Sequence, residues 1–149
     1  MYILERYTLP EMLEESSRRY AERPALAMVG GKSVSYAELE PRTARVAALL
    51  GLLGARKGDR AAIVSENKPE WGIAYLGIAR AGCIAVPILT DFTVEQMGNI
   101  LDHSESRFVF ASRRFAAKLG AAAEARAGRP EGAAPFAGRV VIGIEDLKM

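Results

Sequence analysis

Residues Gly58 to Ile88 read Gly-Asp-Arg-Ala-Ala-Ile-Val-Ser-Glu-Asn-Lys-Pro-Glu-Trp-Gly-Ile-Ala-Tyr-Leu-Gly-Ile-Ala-Arg-Ala-Gly-Cys-Ile-Ala-Val-Pro-Ile. A turn at Lys57-Gly58-Asp59 leads into the apolar run Ala61 to Val64, which predicts a strand. Asn67 or Lys68 caps a helix with Pro69 in its first turn, where a missing N–H costs little, and Gly82 ends it. The second apolar run, Cys83 to Val86, is short and stopped by Pro87, so it reads as a buried strand. Two buried strands joined by a crossover of about 18 residues run parallel, in a βαβ unit whose hand is almost always right.

Upstream, Thr8-Leu9-Pro10-Glu11 is a capping box, and Leu9, Met12, Leu13, Ser16 and Tyr20 fall on one face of the helix behind it. Arg23-Pro24 ends that helix. Ala25 to Val29 and Lys32 to Tyr36 form a small hairpin about Gly30-Gly31. Ser35-Tyr36-Ala37-Glu38 opens a second helix with the apolar face Leu39, Thr43, Val46, Leu50 and Leu53, stopped at Gly54. Pro41 fits poorly six residues past the cap, so either the helix kinks or it begins later.

Downstream, Thr93-Val94-Glu95-Gln96 is a third capping box with Met97, Ile100 and Leu101 behind it. Arg107 to Ala111 reads as a strand, Arg113 to Ala127 as an Ala-rich helix, Gly128 to Gly138 as a loop and Arg139 to Ile144 as a last strand. Strands alternating with helices from residue 60 onward predict an α/β fold, a mostly parallel sheet with helices on both faces, plus the small N-terminal hairpin. The stop at Met149, directly after the last strand, looks like a cut rather than a natural end.

At 149 residues the chain fits one domain with one core. Half its residues are apolar and the formal net charge is only +2, so nothing demands nucleic acid as a partner. Arg18-Arg19 and Arg113-Arg114 read as solvated helix faces. Cys83, the only cysteine, reads as a small buried hydrophobe. No basic leader followed by an apolar run opens the chain, and no stretch approaches the roughly 18 apolar residues of a membrane span, which implies a cytoplasmic setting.

Several constellations invite a chemical reading. Gly31-Lys32-Ser33 matches the end of a phosphate-binding P-loop, but Leu26 stands where its first glycine belongs, and a strand follows where a helix is needed. Asp102-His103-Ser104 has the residue types of a hydrolytic triad, yet neighbours on a helix point about 100 degrees apart. His103, the only histidine, reads as a surface residue at a helix C-terminus. One His, one Cys and scattered carboxylates form no metal cluster. Ligands of open parallel sheets gather outside the carboxyl ends of the strands, which places Ser65-Glu66-Asn67 and Thr90-Asp91-Phe92 on a crevice. Asn67 also serves as a cap, Glu66 as a solvated charge and Trp71 as a core residue.

Lys57-Gly58-Asp59-Arg60, Ser65-Glu66-Asn67-Lys68-Pro69-Glu70-Trp71 and Ala81-Gly82-Cys83-Ile84-Ala85-Val86-Pro87 resemble the N-terminal part of acyl-adenylate-forming enzymes. The Ser-Glu-Asn-x-Pro-Glu-Trp string is most similar to long-chain fatty-acyl-CoA ligases. Thr93-x-Glu95-Gln96, Ile100-Leu101-x-His103-Ser104-Glu105, Glu22-Arg23-Pro24-Ala25 and Ser35-Tyr36-x-Glu38-Leu39 extend the resemblance over nearly the whole chain. It implies an enzyme that couples a carboxylate to AMP with ATP and magnesium and then passes the acyl group to coenzyme A. Residues 1–149 then correspond to the N-terminal part of the large adenylation domain, a fragment inactive alone, with fatty acid, ATP, magnesium and coenzyme A bound by the full-length protein. The glycine-rich phosphate loop and the lysine of the C-terminal lid do not occur here. Some relatives offer a coenzyme phosphate a basic residue where this loop reads Thr90-Asp91-Phe92.

No catalytic, cofactor-binding or metal-binding residue is assigned. An uncovered sheet edge and helix face favour self-association of the fragment. The rival expectation is a self-contained flavodoxin-like module that binds a nucleotide or a partner protein without chemistry. A stand-alone hydrolase using Ser104 or Ser112 lacks a nucleophile elbow.

Overall fold

The computed structural model describes residues 8–126 and 138–148. In chain order the elements are α1 (Leu9–Arg19), β1 (Pro24–Ala27), β2 (Ser33–Ser35), α2 (Tyr36–Leu52), β3 (Arg60–Val64), α3 (Pro69–Arg80), β4 (Ile84–Pro87), α4 (Val94–His103), β5 (Phe108–Ala111), α5 (Arg113–Arg126), β6 (Val140–Gly143) and a short 3-10 helix (Ile144–Lys148). The loop expected after Gly128 lies outside the described residues until Gly138. No helix among the described residues is long and apolar enough to cross a membrane.

The expected caps start the helices. Ser35 and Glu38 satisfy each other's backbone N–H groups at 3.3 and 2.8 Å, and Thr93 and Gln96 do so at 3.2 and 2.9 Å. Thr8 Oγ1 accepts from the Glu11 N–H at 3.3 Å. The helix from Ser35 begins at its cap and carries Pro41 inside, so of the two alternatives for Pro41 a later start is excluded. The apolar face of α2 is buried as its spacing dictates, with Leu39, Thr43, Val46 and Leu50 at 2% exposure or less. The α1 face is only partly so: Leu13 is buried, but Leu9, Met12 and Tyr20 stay about 40% exposed.

Parallel strands in the order β4-β3-β5-β6 form the main sheet, and β1 and β2 form a separate antiparallel hairpin. Counted from β3, the order is 2-1-3-4, that of flavodoxin-like doubly wound sheets. The inner strands alternate between two cores. Ala61, Ile63, Phe108 and Phe110 face α1, α2 and α3, while Ala62, Val64, Val109 and Ala111 face α4 and α5. All eight are fully buried.

Two strand expectations change. The strand expected over Cys83 to Val86 runs Ile84–Pro87 and lies at the sheet edge, with Ile84 51% exposed, so it is not buried on both faces. The N–H groups of Ile84 and Ile88 donate to Asp59 and Ile63 of the β3 side at 2.8 and 2.9 Å. By alternation Ala85 and Pro87 point outward, and proline has no N–H, so the edge offers a single donor to an incoming strand. The last strand ends at Gly143, because Ile144 turns into the 3-10 helix and is fully buried under the sheet. Cys83 is buried as expected; burial, then the charge of Asp59, pushes its thiol up.

Helices α2 and α3 cross in close contact at Gly77. A Cβ there would overlap the Val46 side chain and approach the Thr43 carbonyl oxygen at 3.1 Å. The 3-10 helix is tied to the sheet's carboxyl end by Glu145, whose Oε1 lies 2.7 Å from Lys68 Nζ. Burial pushes the Glu145 carboxyl up, but the Lys68 ammonium and the backbone N–H groups of Glu145 and Arg113 outweigh it and hold it below the ordinary range.

Two outcomes are expected from these contacts. Gly77→Ala should destabilise, because overpacking of about 1–3 kcal/mol exceeds the helix-propensity gain. Gly120→Ala, with nothing within 4 Å of its Cβ, should stabilise by up to about 1 kcal/mol. Urea unfolding of both variants checks the pair. A carboxyl with a lowered folded value contributes stability above its unfolded value of about 4.3 that is lost as pH falls through the folded value. Lys68→Met should therefore lower stability at about pH 6 and flatten the decline toward about pH 3 in the same assay.

Candidate functional site

The chain leaves β3 through α3, on the first face, toward β4. It leaves β5 through α5, on the second face, toward β6. The two connections diverge, which opens a crevice outside the carboxyl ends of β3 and β5, the place where doubly wound sheets bind ligands.

Three strand ends supply this crevice. From β3 come Ser65, 4% exposed with its Oγ donating to the Glu66 carbonyl at 3.0 Å, then Glu66 and Lys68. From β5 come Ser112, 1% exposed, and Arg113 and Arg114 at the start of α5. From β6 comes Glu145. The charges interlock: Lys68 Nζ is 2.7 Å from Glu145 and 3.8 Å from Glu66, and Arg114 is 3.6 Å from Glu66. The Arg113 N–H donates to Glu145 Oε2 at 3.2 Å. A hydrogen bond from its own backbone N–H is the largest influence on Glu66. Despite partial desolvation it holds the carboxyl below the usual range, helped by Ser112, Lys68 and Arg114. The Ser112 pull on Glu66 does not amount to a hydrogen bond, because its Oγ has no partner within bonding geometry.

The residues singled out from sequence divide between this crevice and its surroundings. Ser65, Asn67, Thr90 and Trp71 border a depression of about 180 Å³ on the β4 side. Glu66 instead turns toward β5, Asp91 is exposed, and Phe92 packs into the second core. Ser65 and Asn67 of one expected triplet and Thr90 of the other thus share one depression, while Glu66, Asp91 and Phe92 do not line it. Lys68, not Asn67, is the cap residue of α3, and it makes no side-chain cap. Trp71 stacks on Tyr75 at 5.4 Å and 10° and packs against the first core as expected. It also borders a larger groove of about 340 Å³ beside Leu26, Met28 and Pro69.

The other constellations are structural. Gly30, at φ +71°, and the Gly31 N–H bond to Met28 make Gly31-Lys32-Ser33 a hairpin turn followed by β2. Asp102 pairs with Arg139 at 2.6 Å, Ser104 meets Ser106 at 2.7 Å, and His103 is exposed in the last turn of α4. No cluster of metal-ligating side chains occurs among the described residues. Ser112 and Glu145 were missed as crevice residues because their meeting depends on strand order. The available signal was a buried strand ending in Ser112 before a helix start.

With two cations, two helix N-termini and hydroxyl groups, the crevice is equipped to hold an anion. Among the described residues no hydrogen bond in it joins a serine hydroxyl to a basic side chain.

Residues 13–146 match the family described as AMP-binding enzyme. The chain is 30% identical over 119 residues to a crotonobetaine/carnitine–CoA ligase of Proteus mirabilis, covering 77% of this chain and 23% of the relative. It is 34% identical over 113 residues to a long-chain-fatty-acid–CoA ligase of Escherichia coli, covering 75% of this chain and 20% of the relative. Among solved structures it resembles the N-terminal domain of FACL13 from Mycobacterium tuberculosis, with a TM-score of 0.79 and 26% identity over 94% of this chain and 34% of that one. The chain therefore spans about a quarter or less of the length of these curated relatives. A family match over nearly the whole chain, joined to a shared fold, shows that this chain belongs to the AMP-binding enzyme family.

Proposed function

We propose that residues 1–149 form the N-terminal part of the adenylation domain of a long-chain fatty-acyl-CoA ligase. The parent enzyme joins a fatty acid's carboxylate to AMP, releasing pyrophosphate, and then transfers the acyl group to the thiol of coenzyme A, releasing AMP. The observation that carries this reading is the Ser65-to-Trp71 string. It joins β3 to α3 at the sheet's carboxyl end, within a chain 34% identical to a fatty-acid ligase. The carnitine relative supports only the coarser statement, a carboxylate–CoA ligase.

The residues present do not fit ATP and magnesium. Gly31-Lys32-Ser33 is a hairpin turn, and the described residues form no group of metal-ligating side chains that could hold magnesium. Adenylation needs donors and cations arranged about a developing charge on phosphorus, so no catalytic step is assigned to this chain. Its part in the enzyme is to wall the site. The inner strands β3 and β5, buried on both faces, carry the crevice at their carboxyl ends.

The test is acid-dependent AMP formation by the full-length protein that carries this segment. A long-chain fatty acid is expected to give the highest kcat/KM; a preference for carnitine or a benzoate would overturn the fatty-acid assignment. For the 149-residue chain alone, ATP with magnesium should leave the melting temperature unchanged. A bound ligand at 100 times its Kd would add about 2.7 kcal/mol, and a shift of that size would show that the phosphate site lies within this segment.

A further inference from the structure

Exposed apolar side chains gather at the carboxyl end of the sheet, on its β4 side. Met28 is 49% exposed, Val29 at the hairpin tip is fully exposed, and Leu89 after β4 is 64% exposed. Between them run the groove of about 340 Å³, bordered by Leu26, Met28 and Pro69, and the depression of about 180 Å³, bordered by Pro87 and Leu89. Asn67 and Trp71 border both. The two therefore form one strip from the hairpin, across the start of α3, to the loop after β4.

This strip carries no uncompensated charge. Lys68, the one ionised residue on its border, is paired with Glu145 at 2.7 Å. Trp71 stacks one face on Tyr75 at 5.4 Å, and among the described residues its ring N–H has no acceptor. Aromatic and methionine side chains, few charges and an unused donor are the make-up of the centre of a protein–protein contact. A polyanion would need free cations instead.

The same end of the sheet is where the chain lacks the groups that adenylation needs, so whatever brings them has to approach these strand ends. The chain covers 23% of the crotonobetaine/carnitine ligase and 20% of the fatty-acid ligase, which leaves more than three quarters of such an enzyme outside it. We propose that the strip from Met28 through Trp71 to Leu89 is the surface on which the rest of the parent adenylation domain packs, through an apolar and uncharged face of its own. A second copy of this chain would cover the strip without bringing any of the missing groups. The inference rests on residues 1–149 being part of a longer adenylation domain, and not on which acid that enzyme takes.

Amide hydrogen exchange of the full-length protein, without substrate, compared with that of the 149-residue chain tests this. Peptides spanning 26–29, 67–72 and 87–90 should exchange about tenfold slower in the full-length protein, whereas the turn at 51–57, at the opposite end of the sheet, should not change. Met28→Glu and Leu89→Glu each put a charge on the strip. Each should cut the slowing to about threefold or less in the full-length protein, and shift the melting temperature of the 149-residue chain by no more than about 2 °C. Exchange is followed without an acid, so its outcome and the acid preference fail separately. Equal exchange in the two proteins, slowing that extends equally to 51–57, or slowing that survives both substitutions would overturn the proposal. So would slowing in the 149-residue chain alone that grows with its concentration, which would make a second copy the occupant.

Discussion

Burial of β3 and β5 on both faces is the constraint on which the rest of this structure depends. Their eight alternating side chains, Ala61 to Val64 and Phe108 to Ala111, are fully withdrawn from water and split evenly between two cores. A strand covered on both sides must be flanked by helices above and below, so the connections out of β3 and β5 leave on opposite faces. The crevice at their carboxyl ends is a by-product of that divergence. Small residues let the layers approach: Ala61 and Ala62 face the two cores, and Gly77 brings α3 against α2.

Electrostatics at that end follows from the same topology. Three consecutive parallel strands deliver Glu66, Arg114 and Glu145 to within a few ångströms of Lys68 or of one another. The opposite end carries ion pairs with a different role. Arg107 bonds Gly54 and Leu53 carbonyls at the end of α2 and pairs with Asp59 at 3.1 Å, and Arg60 pairs with Glu105. Those groups fasten loops to the sheet, while the pairs at the carboxyl end tie the 3-10 helix to the starts of α3 and α5.

Local rules were legible wherever one residue decides one bond. The three N-terminal Ser or Thr caps, the φ +77° glycine after α2 and the φ +71° glycine after α3 follow from the chain alone. Pro41 shows a limit: a strong cap at Ser35 and a buried stripe from Leu39 to Leu50 outweigh one lost ladder bond. The β4 run shows another, because Cys83 to Val86 is apolar enough for an interior strand and only strand order reveals an edge. The partnership of Ser65, Glu66, Ser112 and Glu145 was illegible for the same reason. Residues separated by up to 80 positions meet only once β5 is known to lie between β3 and β6.

On the reading proposed above, the chain walls the site of a longer AMP-binding enzyme whose other residues supply the chemistry. That account stands on β3 and β5 being the least deformable part of the molecule, and native-state hydrogen exchange measures this directly. The amides of Ala62, Ile63, Val109 and Phe110 should exchange only through global unfolding, with those of the hairpin residue Leu26 and the edge residue Ala85 exchanging faster through local opening. Amides of β3 and β5 exchanging as fast as the hairpin would contradict it.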